Sequence, residues 1–321
     1  MLRLRSVLFA LVAAAACSAP VEEAATTTID EVRLGDATDP IEHLRVIAGP
    51  QANGRATPSP GLDFAKAYVI AECKRAQLAG GLGDDAFEQP FALPDGARTS
   101  NVLALLPGAG PHASETIIVS AHLDHLGPGF PGADDNGSGS AAMVALAHRL
   151  PKTLDRTVAL LWTTGEEKGL RGSAYFVDHP LPTLPLARLV QDINLDAIGA
   201  LQDTRFSLLP DGTARSALTV DLFREAAAEM ERPFTRVNHD LDAYRTRTDA
   251  YSFVRRGVPA IWVSEGLTNP NGGGSLMPRY HKPTDTVENM LAENGGSKLR
   301  RMTELLARTI EKLAAADLAT E

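Results

Sequence analysis

The chain has 321 residues, 44% of them hydrophobic, 22% charged and only 5% aromatic, with a formal net charge of −9. An acidic balance of this size argues against non-specific nucleic-acid binding and against a polybasic membrane patch, and no apolar run long enough to cross a bilayer follows residue 20. The length suits one large α/β domain, and neither an internal repeat nor a heptad pattern interrupts it.

The chain opens MLRLRSVLFALVAAAACSAP. Arg3 and Arg5 form a basic start, Val7–Ala16 an apolar stretch, and Cys17 follows a run of small residues, the layout of a secretory signal over residues 1–19. The expected location is therefore outside the cytoplasm, in the periplasm or cell envelope. The stretch before Cys17 also resembles a bacterial lipoprotein cleavage box, with Ala14 where leucine is commonest. On that reading Cys17 carries a lipid anchor to the outer membrane; on the other it is incidental to an ordinary signal. Both leave Cys73 alone and exclude a disulfide framework. Residues 20–40, polar and threonine-rich, read as a disordered tether, and residues 41–318 as one catalytic domain.

From Ile41 the apolar spacing changes. IEHLRVIAG and LDFAKAYVIAECKRAQLAGG are spaced as amphipathic helices, the second closed by its glycine pair. Short strands are expected at Phe87–Leu93 and Asn101–Leu106. Strands then alternate with helices: a strand at Thr116–Ala121, a helix at Gly139–Leu150, strands at Val158–Thr163 and Arg188–Asn194, a helix at Ala217–Met230, a strand at Val258–Val263 and a closing helix at Lys298–Ala315. This pattern predicts a single-domain α/β fold, a three-layer α/β/α sandwich around a mixed, largely parallel twisted sheet. Ligands of such sheets bind beyond the carboxyl ends of the strands.

Those ends carry the chemistry. His122 and Asp124 close one strand in SAHLDHLG, Glu166 and Glu167 follow the next in TVALLWTTGEEKGL, and Asp196 closes a third in DINLDAIG. Three strands bringing acids and a histidine to one sheet edge point to a metal site. His122 and Asp124, two apart on an extended segment, leave by one face, which suits a histidine that binds metal through one nitrogen and donates from the other to a carboxylate. Asp134 and Asp135 sit on a glycine-flanked turn, and His281 lies on a loop with Asp285 four residues on. If Asp134, Glu167 and Asp196 ligate while Glu166 stays ionised, four negative charges gather, which two divalent ions neutralise. Mixed imidazole and carboxylate donors favour two Zn2+, with Co2+ or Mn2+ as substitutes. Neighbouring side chains on an extended segment diverge, so the two glutamates divide the work: Glu167 holds metal and Glu166 serves as general base.

HLDHLG, GADDNGSG, GEE, NLDAIG and YHKPTDT, in this order, resemble the clan MH di-zinc aminopeptidases of the bacterial leucyl aminopeptidase type, over about residues 41–315. The resemblance implies that His122 and Asp196 hold one zinc, Glu167 and His281 the other, and that Asp134 bridges them across a cis Asp134–Asp135 peptide. It implies Glu166 as the base and Tyr280 as an oxyanion donor, and an exported aminopeptidase acting on peptides with a free N-terminus. Ala250 departs from the pattern, standing where a histidine often does ahead of the strand. Glutaminyl cyclases, which share the fold and use one zinc as acyl transferases, are the alternative; a non-catalytic ectodomain of the transferrin-receptor kind is a further one, set aside because no site residue is missing. His125, out of phase with His122 and Asp124, reads as structural or exposed, and His239 and Asp240 as solvated. Glycines 272–274 read as a loop by the cleft, Tyr251, Phe253, Trp262 and Met277 as pocket walls, and Cys73 as buried and inert. Residue preference and oligomeric state have no signature in the sequence.

Overall fold

A computed structural model describes residues 34–318 apart from 84, 201–204, 235, 239–241 and 266–277, together with Ile29 and Val32. Cys17, His239, Asp240, glycines 272–274 and Met277 lie outside the described residues.

Asp39 opens the first helix, α1 (Pro40–Ile47): its carboxylate accepts the Ile41 N–H at 3.0 Å, and the proline in the first turn lacks the N–H that would otherwise need a partner. Residues ahead of it, expected at the end of a tether, are engaged, for the Ala37 and Thr38 carbonyls accept from His43 and Arg149. Ser59 caps α2 (Pro60–Arg75) through the Leu62 N–H. This helix stops well before Gly80–Gly81, where the sequence suggested its end. Gln77 takes a left-handed conformation (φ 61°) and the Leu78 N–H folds back on the Cys73 carbonyl, so the turn is closed without glycine. Gly80 instead belongs to a strand.

In chain order the remaining elements are β1 (Ala79–Gly80), β2 (Glu88–Ala92), β3 (Arg98–Leu106), β4 (Thr116–His122), α3 (Gly139–Arg149), β5 (Thr157–Thr163), α4 (Arg171–Asp178), β6 (Leu189–Leu195), β7 (Arg205–Pro210), α5 (Ala214–Ala228), β8 (Arg236–Asn238), α6 (Ala250–Val254), β9 (Ala260–Ser264), α7 (Val287–Asn294) and α8 (Ser297–Ala315). The sheet runs β1–β3–β5–β4–β6–β9–β7–β8, with β2 also paired to β3. Its centre, β5–β4–β6–β9, is parallel; β3 and β7 pair antiparallel to the two sides of that centre. This is the mixed, largely parallel sheet the alternation predicts.

Period two divides the core. Ile117, Val119 and Ala121 of β4 and Val158, Leu160 and Trp162 of β5 join the apolar cluster under α1, α2, α3, α5 and α8. Ile118, Ala159 and Leu161 join the one under α4 and α6. Trp162 is fully buried, with its indole N–H on the Ser140 carbonyl at 3.2 Å. Phe253 and Trp262, read from sequence as pocket walls, belong to the α4/α6 side of the core, where Phe253 packs on Phe176. Cys73 is buried, and burial pushes its thiol up, in keeping with an inert residue.

The parallel centre sets out the site. His122 pairs in register with Thr163, and Leu195 with Val263, so β4, β5, β6 and β9 end side by side. The segments that follow them lie along one edge.

Candidate metal centre

His122, the last residue of β4, donates from Nδ1 to the Asp124 backbone carbonyl at 3.0 Å, which leaves Nε2 as the acceptor facing the site. The sequence suggested a carboxylate for that contact. The Asp124 carboxylate turns elsewhere: one oxygen accepts the Glu166 N–H at 3.2 Å, the other has no hydrogen-bond partner among the described residues, and burial pushes the group up to about 6.

Around His122 Nε2 lie Asp135 Oδ1 at 3.3 Å and Asp196 Oδ1 at 3.5 Å. Around His281 Nε2 lie Asp135 Oδ2 at 3.2 Å and Glu167 Oε2 at 3.1 Å. One Asp135 oxygen thus belongs to each cluster, the arrangement of a bridging carboxylate. Donor atoms about 2.1 Å from a common tetrahedral ion stand about 3.4 Å from each other, so these imidazole–carboxylate pairs have the spacing, and the nitrogen and oxygen chemistry, of zinc ligands. Buried atoms without hydrogen-bond partners, Asp135 Oδ2 and Glu167 Oε1 among them, point the same way. Burial raises the carboxylates, while the neighbouring His125 and His281 rings hold Glu167 down at about 2; Asp196, beside His122, stays up at about 6.

Asp135, and not Asp134 as the sequence suggests, is the residue with one oxygen in each cluster. The Asp134 carboxylate accepts the Gly199 N–H at 2.9 Å and lies against Glu265. The Asp285 carboxylate holds the turn by accepting the N–H groups of Asp134 (3.0 and 3.1 Å) and Asp135 (3.1 Å), and burial pushes Asp285 up to about 7. The cis peptide likewise falls one residue later, at Asp135–Asn136. His125, read as structural or exposed, is buried with its Nδ1 2.9 Å from Glu167 Oε1.

Glu166 is pushed well above the ordinary carboxylate range by burial, with Asp249, Asp196 and Asp124 adding to the effect and His122 opposing it. It stands close enough to feel the site's charges without being one of the clustered donors. Tyr280 stacks on His281, ring centres 3.8 Å apart, and is 41% exposed, so it forms the rim. Ala250 is buried at the start of α6.

One residue had no signal in the sequence. Arg55 is fully buried and donates to the carbonyls of Leu123 (2.7 Å), Ile47 (2.9 Å), Pro131 (2.7 Å) and Gly132 (2.9 Å). Burial lowers it to about 10 against the pull of Asp285, Asp124, Asp135 and Glu167. It fastens the loop after β4 to the loop carrying Asp135. ANGRATPSP matches no motif, and only the fold shows what its arginine binds.

The class is therefore an α/β protein with two imidazole–carboxylate donor sets sharing one carboxylate at the ends of its parallel strands. Within that class, residues 101–309 match Peptidase family M28, and the chain belongs to this family. Leucine aminopeptidase 2 of Trichophyton rubrum is 30% identical over 218 residues, covering 62% of this chain and 42% of that protein. Leupeptin-inactivating enzyme 1 of Streptomyces exfoliatus is 30% identical over 326 residues, covering 96% and 68%. This chain thus spans well under half of the fungal relative's length. Among solved structures, the LapA aminopeptidase of Legionella pneumophila superposes with a TM-score of 0.64 at 18% identity over 96% of this chain and 79% of that one. The glutaminyl cyclase of Porphyromonas gingivalis does so at 0.63 and 18% over 87% and 97%.

Proposed function

We propose that the protein is an exported aminopeptidase that removes N-terminal residues from peptides with two zinc ions, one held by His122, Asp135 and Asp196 and the other by Asp135, Glu167 and His281. The observation that carries this reading is the placing of the two Asp135 oxygens, one in each donor set. When bound, the ions polarise the scissile carbonyl and acidify water. Glu166 accepts the proton released by the attacking water and delivers it to the departing amine nitrogen, so the proton stays within the site. Burial raises the proton affinity of the Glu166 carboxylate, which strengthens it as an acceptor for that proton. Tyr280 at the rim offers a hydroxyl to the developing oxyanion. The acidic surroundings attract the free ammonium of a peptide N-terminus, which favours removal of end residues over internal cleavage.

The likeness to glutaminyl cyclase is the reason to keep a second reading, an acyl transferase with one ion. Two complete donor sets and relatives named as aminopeptidases support the peptidase. The test is a panel of aminoacyl-anilides and their N-acetylated counterparts, assayed with and without chelator and alongside the zinc content. Chelator-sensitive release from free amines at two zinc per chain is expected. Cyclisation of N-terminal glutamine at one zinc per chain would overturn the proposal.

A further inference from the structure

We propose that His125 is a ligand of the second ion, which then takes four side chains (His125, Asp135, Glu167 and His281), while the first takes three (His122, Asp135 and Asp196). This rests on the two-ion reading and adds to it a residue outside the set that the family resemblance implies.

The His125 side chain is completely buried, and neither of its ring nitrogens has a hydrogen-bond partner among the described residues. Nδ1 lies 2.9 Å from Glu167 Oε1, itself without a hydrogen-bond partner, and 4.0 Å from Asp135 Oδ2. The His125–Glu167 contact is close yet off the line a hydrogen bond needs. Two donors that converge without bonding to each other have the geometry of ligands around a common centre. Leaving a buried polar group unsatisfied is unfavourable, and an ion between these atoms removes that penalty.

The backbone holds the ring in place. The His125 N–H donates to the Arg55 carbonyl at 3.1 Å, which ties the chain beneath it. Behind the ring, Gly132 has φ 61°, and a Cβ there would stand 2.5 Å from both Cγ and Cδ2 of His125. The loop is folded directly onto the imidazole and leaves it no room to turn back. The ring also meets His281 edge to face, centres 5.7 Å apart. The chemical consequence is asymmetry. Four side-chain donors close the second site, and three leave a coordination position free on the first.

X-ray absorption at the zinc edge counts imidazoles and tests this on the full-length protein loaded with zinc, with stoichiometry read by mass spectrometry. Three imidazoles per two zinc ions are expected in the wild type. His125→Gln should fall to two imidazoles and bind its second zinc at least about 10-fold more weakly, with the first little changed. His125→Cys should recover the second site and add a zinc–sulfur distance of about 2.3 Å. Circular dichroism checks that both variants fold. Two imidazoles per two ions in the wild type would overturn the assignment of His125 and leave the two-ion reading standing. A wild type that binds no zinc, or one ion only, would overturn that reading and this inference with it.

Discussion

Two of the site's motifs set two acids side by side, Asp134–Asp135 and Glu166–Glu167, and in each pair the two residues have different surroundings. Glu167 and Asp135 turn into the donor sets, while the Asp134 carboxylate accepts from Gly199 and Glu166 stays beside the sets without joining them. Replacing Glu166 with Gln should leave zinc content unchanged and lower turnover of an aminoacyl-anilide by about 10²–10⁴-fold, the usual contribution of a general base. Retained wild-type turnover would remove Glu166 from that role. Asp135→Ala should lose both ions on dialysis, whereas Asp134→Asn, which can still accept from Gly199, should keep both; metal analysis of the two variants separates the neighbours. The sequence could not make that choice. Consecutive side chains diverge, so one aspartate of the pair had to face the histidines, but which one depends on how the turn is gripped by Asp285, 150 residues away. His125 escaped for a related reason. The period-two argument holds inside a strand, and β4 ends at His122, so phase three residues later carries no information.

At the scale of elements, the site is a set of loops tied down by buried polar groups. Arg55 grips four carbonyls on three segments, a task that the single ammonium of lysine cannot share out in the same planar directions. Arg55→Lys is expected to lower the urea midpoint, measured in chelator, by the equivalent of about 3–5 kcal/mol. In the helical layer, His43 donates from Nε2 to the Ala37 carbonyl and accepts the Tyr68 hydroxyl at Nδ1, both at 2.8 Å, so it is held neutral. Burial lowers its pKa against the opposing Ala37 bond. The unfolded chain therefore takes up a proton first as the pH falls. The stability His43 contributes is complete above about 6.5 and is lost as the pH drops through that value toward the lower folded one. His43→Asn removes this titration. The stability gap between wild type and variant should narrow between about pH 7.5 and 5.5 in urea unfolding; a constant gap would show that His43 does not titrate on unfolding.

For the whole molecule, the alternating pattern was enough to read the parallel centre of the sheet and the edge at which the motifs gather. It was not enough for β7, α4 or α6, whose stretches lack a clean period and are defined by what they pack against. Nor could it show that Phe253 and Trp262 face the core, since an apolar residue near a strand end is equally suited to a cleft wall. A site drawn from so many segments exists only in the native state, so its ligands stabilise that state by mass action. Zinc at about 100 times its dissociation constant should raise unfolding free energy by about 2.7 kcal/mol per site, and a melting temperature indifferent to chelator would contradict this.

The order of those segments also sets a timetable. Arg55 and His122 leave the ribosome early, whereas His281 and Asp285 emerge last of the residues named in the two clusters and their anchoring turn. A partly synthesised chain lacks both the His281 imidazole and the Asp285 carboxylate that holds the Asp135 turn, so neither donor set is complete until both have emerged. Cutting power, on this account, arrives late in translation, and a growing chain is not exposed to a finished peptidase made from its own first half.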